Sequence, residues 1–219
     1  PPRSTLFPYT TLFRSIGIPQ KEADLFKYGH ERLSDENTLN GGLSEYTLLR
    51  KYTPVAQIST DISAKVAALI NCSVSTVAGA LRLADESIKE HVIVSGAGML
   101  GIMACAMLKS KGTAHISVID TDAARAKRAL DFGADRYFLS AQEAIDQLSL
   151  TQSAFPRASA VLEFSGSASA MSSSLALLQI GEKAIWVGAT FPQKAVPIDA
   201  EWIIRNLITI KGLHNYNLK

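Results

Sequence analysis

Strands that alternate with helices, a glycine-rich turn between the first of those strands and its helix, and an unexceptional composition together predict an α/β fold. The expected core is a doubly wound parallel sheet. Of the 219 residues 47% are hydrophobic and 19% charged, which is globular composition and excludes disorder, collagen and coiled coil. Lys and Arg number 22 against 20 Asp and Glu, and setting aside Arg3 and Arg14 in an unusual N-terminal stretch leaves the remainder neutral. Neither nucleic acid nor an anionic membrane is therefore an expected partner.

The first element to justify is the one left out. Residues 1–15, PPRSTLFPYTTLFRS, nearly repeat Ser4 to Phe7 at Thr10 to Phe13 and carry neither helical nor strand periodicity. Thr5 to Ser15 resembles the conceptual translation of a sequencing-library adapter, so residues 1–15 are expected to be a non-native, unpacked tail and the chain a fragment of a longer protein. A targeting peptide would need an apolar core and a small-residue cleavage site, which this stretch lacks.

Pro19 to Asn40 is polar and reads as loop with short helix. Gly41 to Leu49 and Val55 to Ile58 are brief β-like runs, and Ser63 to Leu83, rich in Ala, Val and Leu, reads as one or two buried helices. His91 to Ser95 is a β-branched strand, and Met99 to Lys111 a helix too apolar for the surface. The uncharged run Val92 to Leu108 is 17 residues long and broken early by glycines, short of the ~20 residues that cross a bilayer. Then follow His115 to Asp120 (strand), Thr121 to Phe132 (helix stopped by Gly133), Arg136 to Leu139 (strand), Ala141 to Leu148 (helix), Ala160 to Glu163 (strand), Ser167 to Ile180 (helix stopped by Gly181), Lys183 to Val187 (strand) and Leu207 to Gly212 (strand). Helical crossovers between such strands make the sheet parallel and the connections right-handed.

Gly96-Ala-Gly98-Met-Leu100-Gly101 is GxGxxG, following a predicted strand and opening a predicted helix, with Asp120 lying 19 residues beyond Gly101. In that context the motif is a dinucleotide-binding fingerprint. Gly96 permits the tight turn, Gly98 lets a pyrophosphate approach the backbone, and Gly101 lets helix and strand pack closely. The helix's free N–H groups and positive end hold phosphate. Asp120, ending the second strand, would accept both ribose hydroxyls and repel a 2′-phosphate, which favours NAD over NADP, with Arg125 placed to lie over the same ribose. Asp120 as a helix cap, Arg125 as a solvated residue, and the glycines as a plain turn are the bland alternatives.

A resemblance becomes specific at this point. Lys27 to Glu31, Asn40 to Tyr46, Asn71 to Thr76, Gly96 to Gly101, Leu162 to Gly166 and Ile210 to Tyr216 resemble zinc-dependent alcohol dehydrogenases of the medium-chain dehydrogenase/reductase superfamily, most of all the group proposed to act in phosphonate catabolism. The likeness covers residues 16–219. It implies a remnant of a GroES-like, β-rich catalytic domain over 16–75 and an NAD-binding Rossmann domain over 76–219. It further implies Cys72 as a zinc ligand, with a buried core cysteine as the alternative, and Thr76 beside the nicotinamide as the catalytic residue. Gly96, Gly98, Leu100, Gly101, Asp120 and Arg125 would hold the pyrophosphate and adenosine side of the cofactor. Glu163, Phe164, Ser165 and Gly166 would form the turn near the adenosine, and Gly188, Ala189, Leu213 and His214 would line the nicotinamide pocket.

His30 imitates the family's zinc-ligand motif but sits after the structural-zinc lobe, and reads as a loop histidine. Glu22 stands where that lobe's last cysteine is expected. Cys72 and Cys105 are the only cysteines, so neither a disulfide scaffold nor a four-cysteine zinc site can form, and a reducing, cytoplasmic setting is expected. The activity implied for the parent enzyme is zinc-assisted, reversible, NAD-dependent oxidation of a small alcohol to an aldehyde or ketone, in a homo-oligomer; this chain alone is expected to be inactive. A zinc-free quinone-type reductase of the same superfamily is disfavoured by Asp120 and Cys72. A non-catalytic nucleotide-binding regulatory module would leave Gly41 to Tyr46 and the Cys72 segment without a role.

Overall fold

The computed structural model describes residues 6–8, 28, 45–51, 53, 55–149, 156–190, 192 and 194–214. The chain divides into two compact units, one of residues 1–72 with 216–219 and one of residues 73–215. The loop and short helix expected over Pro19 to Asn40, with Glu22 and His30, fall outside the described residues, as does the first part of the β-like run from Gly41.

In the first unit, β1 (Leu6–Pro8) pairs antiparallel with β2 (Val55–Gln57). Residues 6–8 of the stretch expected to be an unpacked, adapter-like tail thus form a short strand. Three extended residues offer ladder N–H and C=O groups whatever their side-chain period, and Pro8, with no N–H to donate, stands at the strand's end. Among the described residues of the expected run from Gly41 to Leu49, 45–49 form no strand, while the second run is observed as β2. Helix α1 (Ala64–Leu69) is capped by Ser63, whose hydroxyl accepts the Val66 N–H. Only Ala67 in it is buried, and Val66 is half exposed, which corrects the reading of this stretch as a buried helix.

The helical path continues through a π-helical turn at Ile70–Val74 into α2 (Ser75–Ala84) and a 3₁₀ turn at Asp85–Ile88. The whole stretch Ala64–Ile88 is long and apolar enough to cross a membrane by length and composition. Its second half is a core helix: Val77, Ala80, Leu81 and Ala84 repeat at helical spacing and are fully or almost fully buried in one cluster with Val92, Val94 and Leu162 of the sheet.

The second unit is built on a six-stranded parallel sheet. Its strands are β3 (His91–Ser95), β4 (His115–Ile119), β5 (Arg136–Phe138), β6 (Ala158–Glu163), β7 (Leu178–Trp186) and β8 (Thr209–Gly212), in the spatial order β5-β4-β3-β6-β7-β8. Helices α3 (Met99–Ser110), α4 (Ala123–Arg128), α5 (Ala141–Leu148), α6 (Ala168–Ser174) and α7 (Ala200–Asn206) connect them. The chain starts at the centre, winds outward through β4 and β5, then returns to β6 beside β3 and winds the other way. The doubly wound expectation is met, and the reversal between β3 and β6 makes a switch point, where crevices open beyond the strands' carboxyl ends.

β3 and β6 are buried along their whole length, which explains their unbroken apolar character, since a central parallel strand is covered on both faces. Burying each large aliphatic side chain there stabilises the unit by about 1.5–3 kcal/mol. The larger differences from expectation lie between Ser167 and Leu207. The helix after Ser167 ends at Ser174, and a 3₁₀ turn at Leu175–Leu177 leads into β7, which begins at Leu178 because that residue pairs with Ala158 at the foot of β6. Gly181 therefore lies inside a strand instead of stopping a helix. Helix α7 was not foreseen, although Asp199 caps it by accepting the Trp202 N–H at 3.0 Å.

Candidate cofactor site

Gly98 is the N-cap of α3 and has no side chain to cap it, so the first-turn N–H groups of a twelve-residue helix open at the carboxyl edge of the central strand. A Cβ added to Gly98 would meet nothing within 4 Å, whereas one on Gly101 would lie 1.8 Å from the Gly96 carbonyl oxygen. The two glycines thus do different things: Gly101 allows the helix to pack on its own loop, and Gly98 leaves the approach to the helix end clear. An anion fits such an opening, which combines donors with the positive end of the helix dipole. Leu100 is half-buried behind it and packs against the main core cluster.

Asp120 directly follows β4 and is half-buried. One carboxylate oxygen accepts the Ala97 N–H at 2.7 Å and the other accepts the Asp122 N–H at 2.8 Å. This places the carboxylate beside the glycine loop and ties that loop to the one after β4. Each oxygen retains lone-pair capacity for a further donor, as a ribose diol requires. The helix-capping role offered as an alternative for Asp120 belongs to Asp122, which accepts the Ala124 and Arg125 N–H groups. Arg125 is exposed, its Nε 3.6 Å from Asp122, a surface pair contributing little.

The loops after β6 and β7 complete the carboxyl edge. Phe164 is half-buried and Ser165 exposed, with the Phe164 N–H donating to Ser95 O at 2.8 Å. Gly188 donates its N–H to Glu163 O at 3.1 Å, Ala189 is exposed, and the Leu213 N–H donates to Trp186 O at 2.9 Å. Leu213 and His214 are both half-buried just beyond β8. The structure therefore brings Gly96 to Gly101, Asp120, Phe164, Ser165, Gly188, Ala189 and Leu213 to one edge of one sheet, and Thr76 is buried in α2 of the same unit.

Residues 100–219 match the model of the zinc-binding dehydrogenase family. The chain belongs to that family. Within the medium-chain dehydrogenase/reductase superfamily, this zinc-binding dehydrogenase chain is similar to the L-threonine 3-dehydrogenases of Vibrio vulnificus, at 28% identity over 174 residues, and of Ruegeria pomeroyi, at 29% over 183 residues. These alignments cover 80% of the chain and 49% and 50% of the relatives, so the chain spans about half the length of the curated relatives it matches. Among solved structures, an alcohol dehydrogenase from Thermotoga maritima superposes with a TM-score of 0.77 at 28% identity, over 84% of this chain and 52% of that one.

For this chain the zinc expectation has a narrower footing. Cys72 is an exposed free thiol on the π-helical turn, so its reading as a buried core cysteine is set aside. Among the described residues no group of three or more His, Cys, Asp or Glu side chains could hold a metal ion. A catalytic zinc takes three protein ligands, and the described residues do not make up such a set. Cys105 is the buried cysteine, its thiol pushed up to about 12 by burial.

Glu163, which the resemblance places in the turn near the adenosine without giving its side chain a role, has one in the structure. It ends β6 at the switch point, is fully buried, and accepts hydrogen bonds from Ser165 and Gly166. Burial pushes its carboxyl above the usual value, and the bonds from Ser165, Gly166 and Ser95 oppose that shift. The available signal was a carboxylate closing an otherwise apolar run, Ala160-Val-Leu-Glu163.

Proposed function

We propose that this edge of the sheet binds NAD and that the whole protein uses it to oxidise a small alcohol reversibly to an aldehyde or ketone. The observation that carries the reading is the pairing of an uncapped, unobstructed helix end at Gly98 with a carboxylate bonded to the same loop at Ala97. Donors for a pyrophosphate and acceptors for a ribose diol then lie side by side, as a dinucleotide presents them. The backbone N–H groups of Gly98, Met99 and Leu100 would bind the pyrophosphate. Asp120 would orient the adenosine ribose and exclude a 2′-phosphate. Gly188, Ala189, Leu213 and His214 would supply the wall for the nicotinamide ring. When bound, NAD supplies the hydride acceptor.

Zinc is proposed for the whole protein from family membership, with Cys72 as one ligand; the described residues support no step through it. Small alcohols bearing a phosphonate are the substrate class to test first, because of the sequence likeness to the group proposed for phosphonate catabolism. A homo-oligomer in the cytoplasm is proposed on the same basis. Fluorescence titration with NADH and NADPH tests the cofactor reading: saturable NADH binding, at least about tenfold tighter than NADPH, is expected, a gap of about 1.4 kcal/mol. Absence of NADH binding would reject it.

A further inference from the structure

A fully buried carboxylate is costly unless donors surround it, and Glu163 is surrounded by donors from one short turn. Its Oε1 accepts the Ser165 N–H at 2.9 Å and the Ser165 hydroxyl, and the Gly166 N–H lies 3.2 Å from both oxygens. On the β3 side Glu163 pairs with Ser95 in the sheet register, and the Ser95 side chain favours the charged carboxylate. Its main chain is equally committed: the carbonyl accepts the N–H groups of Val187, at 2.9 Å, and Gly188, at 3.1 Å. One residue therefore joins the ends of β3, β6 and β7.

The turn it holds is wedged between the two neighbouring loops with no room for a side chain on either side. A Cβ on Gly96 would stand 2.8 Å from the Ser165 nitrogen, and one on Gly188 would stand 2.3 Å from the Gly166 nitrogen. Gly166 itself, at φ +70°, has the Gly188 carbonyl oxygen 2.5 Å from where its Cβ would be. Backbone packed this closely transmits any displacement of the Phe164–Gly166 turn to the loop carrying Gly96 and to the loop carrying Gly188. These are the loops that receive the dinucleotide in the function proposed above, on which this inference rests.

We infer that Glu163 is a positioning residue for the dinucleotide: its carboxylate, bonded to the Ser165 and Gly166 amides, fixes the Phe164–Gly166 turn as the wedge that sets the two cofactor loops apart at their working distance. It acts through backbone and does not touch the reacting atoms. What matters is acceptor capacity at the right reach. A glutamine keeps one acceptor oxygen for the Ser165 and Gly166 amides; an aspartate is one methylene short.

The test is NADH titration of the full chain and its variants by fluorescence, with amide hydrogen exchange read at Ser165 and Gly166. Glu163→Ala is expected to weaken NADH binding about tenfold or more and to speed exchange at both amides, while Glu163→Gln stays within about threefold of the parent, a difference of about 0.65 kcal/mol or less. If Glu163→Ala does not fold, Glu163→Asp carries the same expectation. A parent chain that binds NADH alongside a Glu163→Ala or Glu163→Asp variant that binds it equally well overturns this inference and leaves the cofactor reading standing. Loss in Glu163→Gln as large as in the short variants also overturns it. A parent chain that binds no NADH overturns the cofactor reading and this inference with it.

Discussion

The carboxylate of Asp120 accepts the backbone N–H of Ala97 across the gap between two adjacent strand ends, at 2.7 Å. A residue expected to choose the cofactor therefore also holds the loop that receives the phosphates. Asp120→Ala should weaken NADH binding by at least about tenfold without giving NADPH the affinity NADH has in the parent. Parallel fluorescence titrations check this, and a clean exchange of preference would show that the Ala97 bond has no part in shaping the loop.

Gly98 and Gly101 should separate binding from stability. An alanine at Gly101 would drive its Cβ to 1.8 Å from the Gly96 carbonyl oxygen, so a loss of about 3 kcal/mol of stability is expected from overpacking against backbone. Gly98→Ala meets no atom within 4 Å and should cost no more than about 1 kcal/mol as a poorer helix cap. Its methyl group would nevertheless occupy the phosphate approach, lowering NADH affinity. Urea unfolding and NADH titration of both variants decide the point. Equal stability of the two would contradict the close packing.

His91 should make the second unit acid-sensitive. Its ring is buried, with Nδ1 2.6 Å from Pro156 O and Nε2 2.8 Å from Ser117 Oγ, and burial pulls its pKa down from 6.5 to about 4. The His115 and Arg136 charges also lower it, while the Pro156 carbonyl and Asp135 raise it. Between those values the unfolded chain binds a proton that the folded chain does not. Stability is thus complete above about pH 6.5 and falls as pH drops toward 4, by up to about 3 kcal/mol. Urea unfolding from pH 7 to pH 4.5 should show this slope, and His91→Gln should reduce it. An NMR titration placing the His91 pKa near 6.5 would refute the account.

The two cysteines should differ in reactivity. Cys72 is exposed, while Cys105 lies on the buried face of α3 with its thiol pushed up to about 12. Thiolate is the reactive form. One equivalent of a thiol reagent should therefore be consumed by the native chain, at Cys72, and the second only on unfolding. Mass mapping of the labelled peptides reads this directly, and prompt native labelling of Cys105 would show that the core admits the reagent.

The primary structure by itself determined the alternation of elements in the second unit and the chemistry of its first turn. The β-branched run His91 to Ser95, the glycines at 96, 98 and 101, and Asp120 carry their meaning in residue type and spacing alone. Period and turn chemistry are local properties, readable along the chain. Tertiary structure decided what depends on contacts between distant segments. Leu178 became strand because Ala158 was there to pair with it, and no local period announces a pairing partner. Glu163 became the centre of a donor cluster because β3, β6 and β7 end together. Asp120 acquired a bond to Ala97, 23 positions away. Burial, hydrogen bonding and backbone proximity are properties of neighbours in space, and a buried carboxylate shows its use only when its donors are in place.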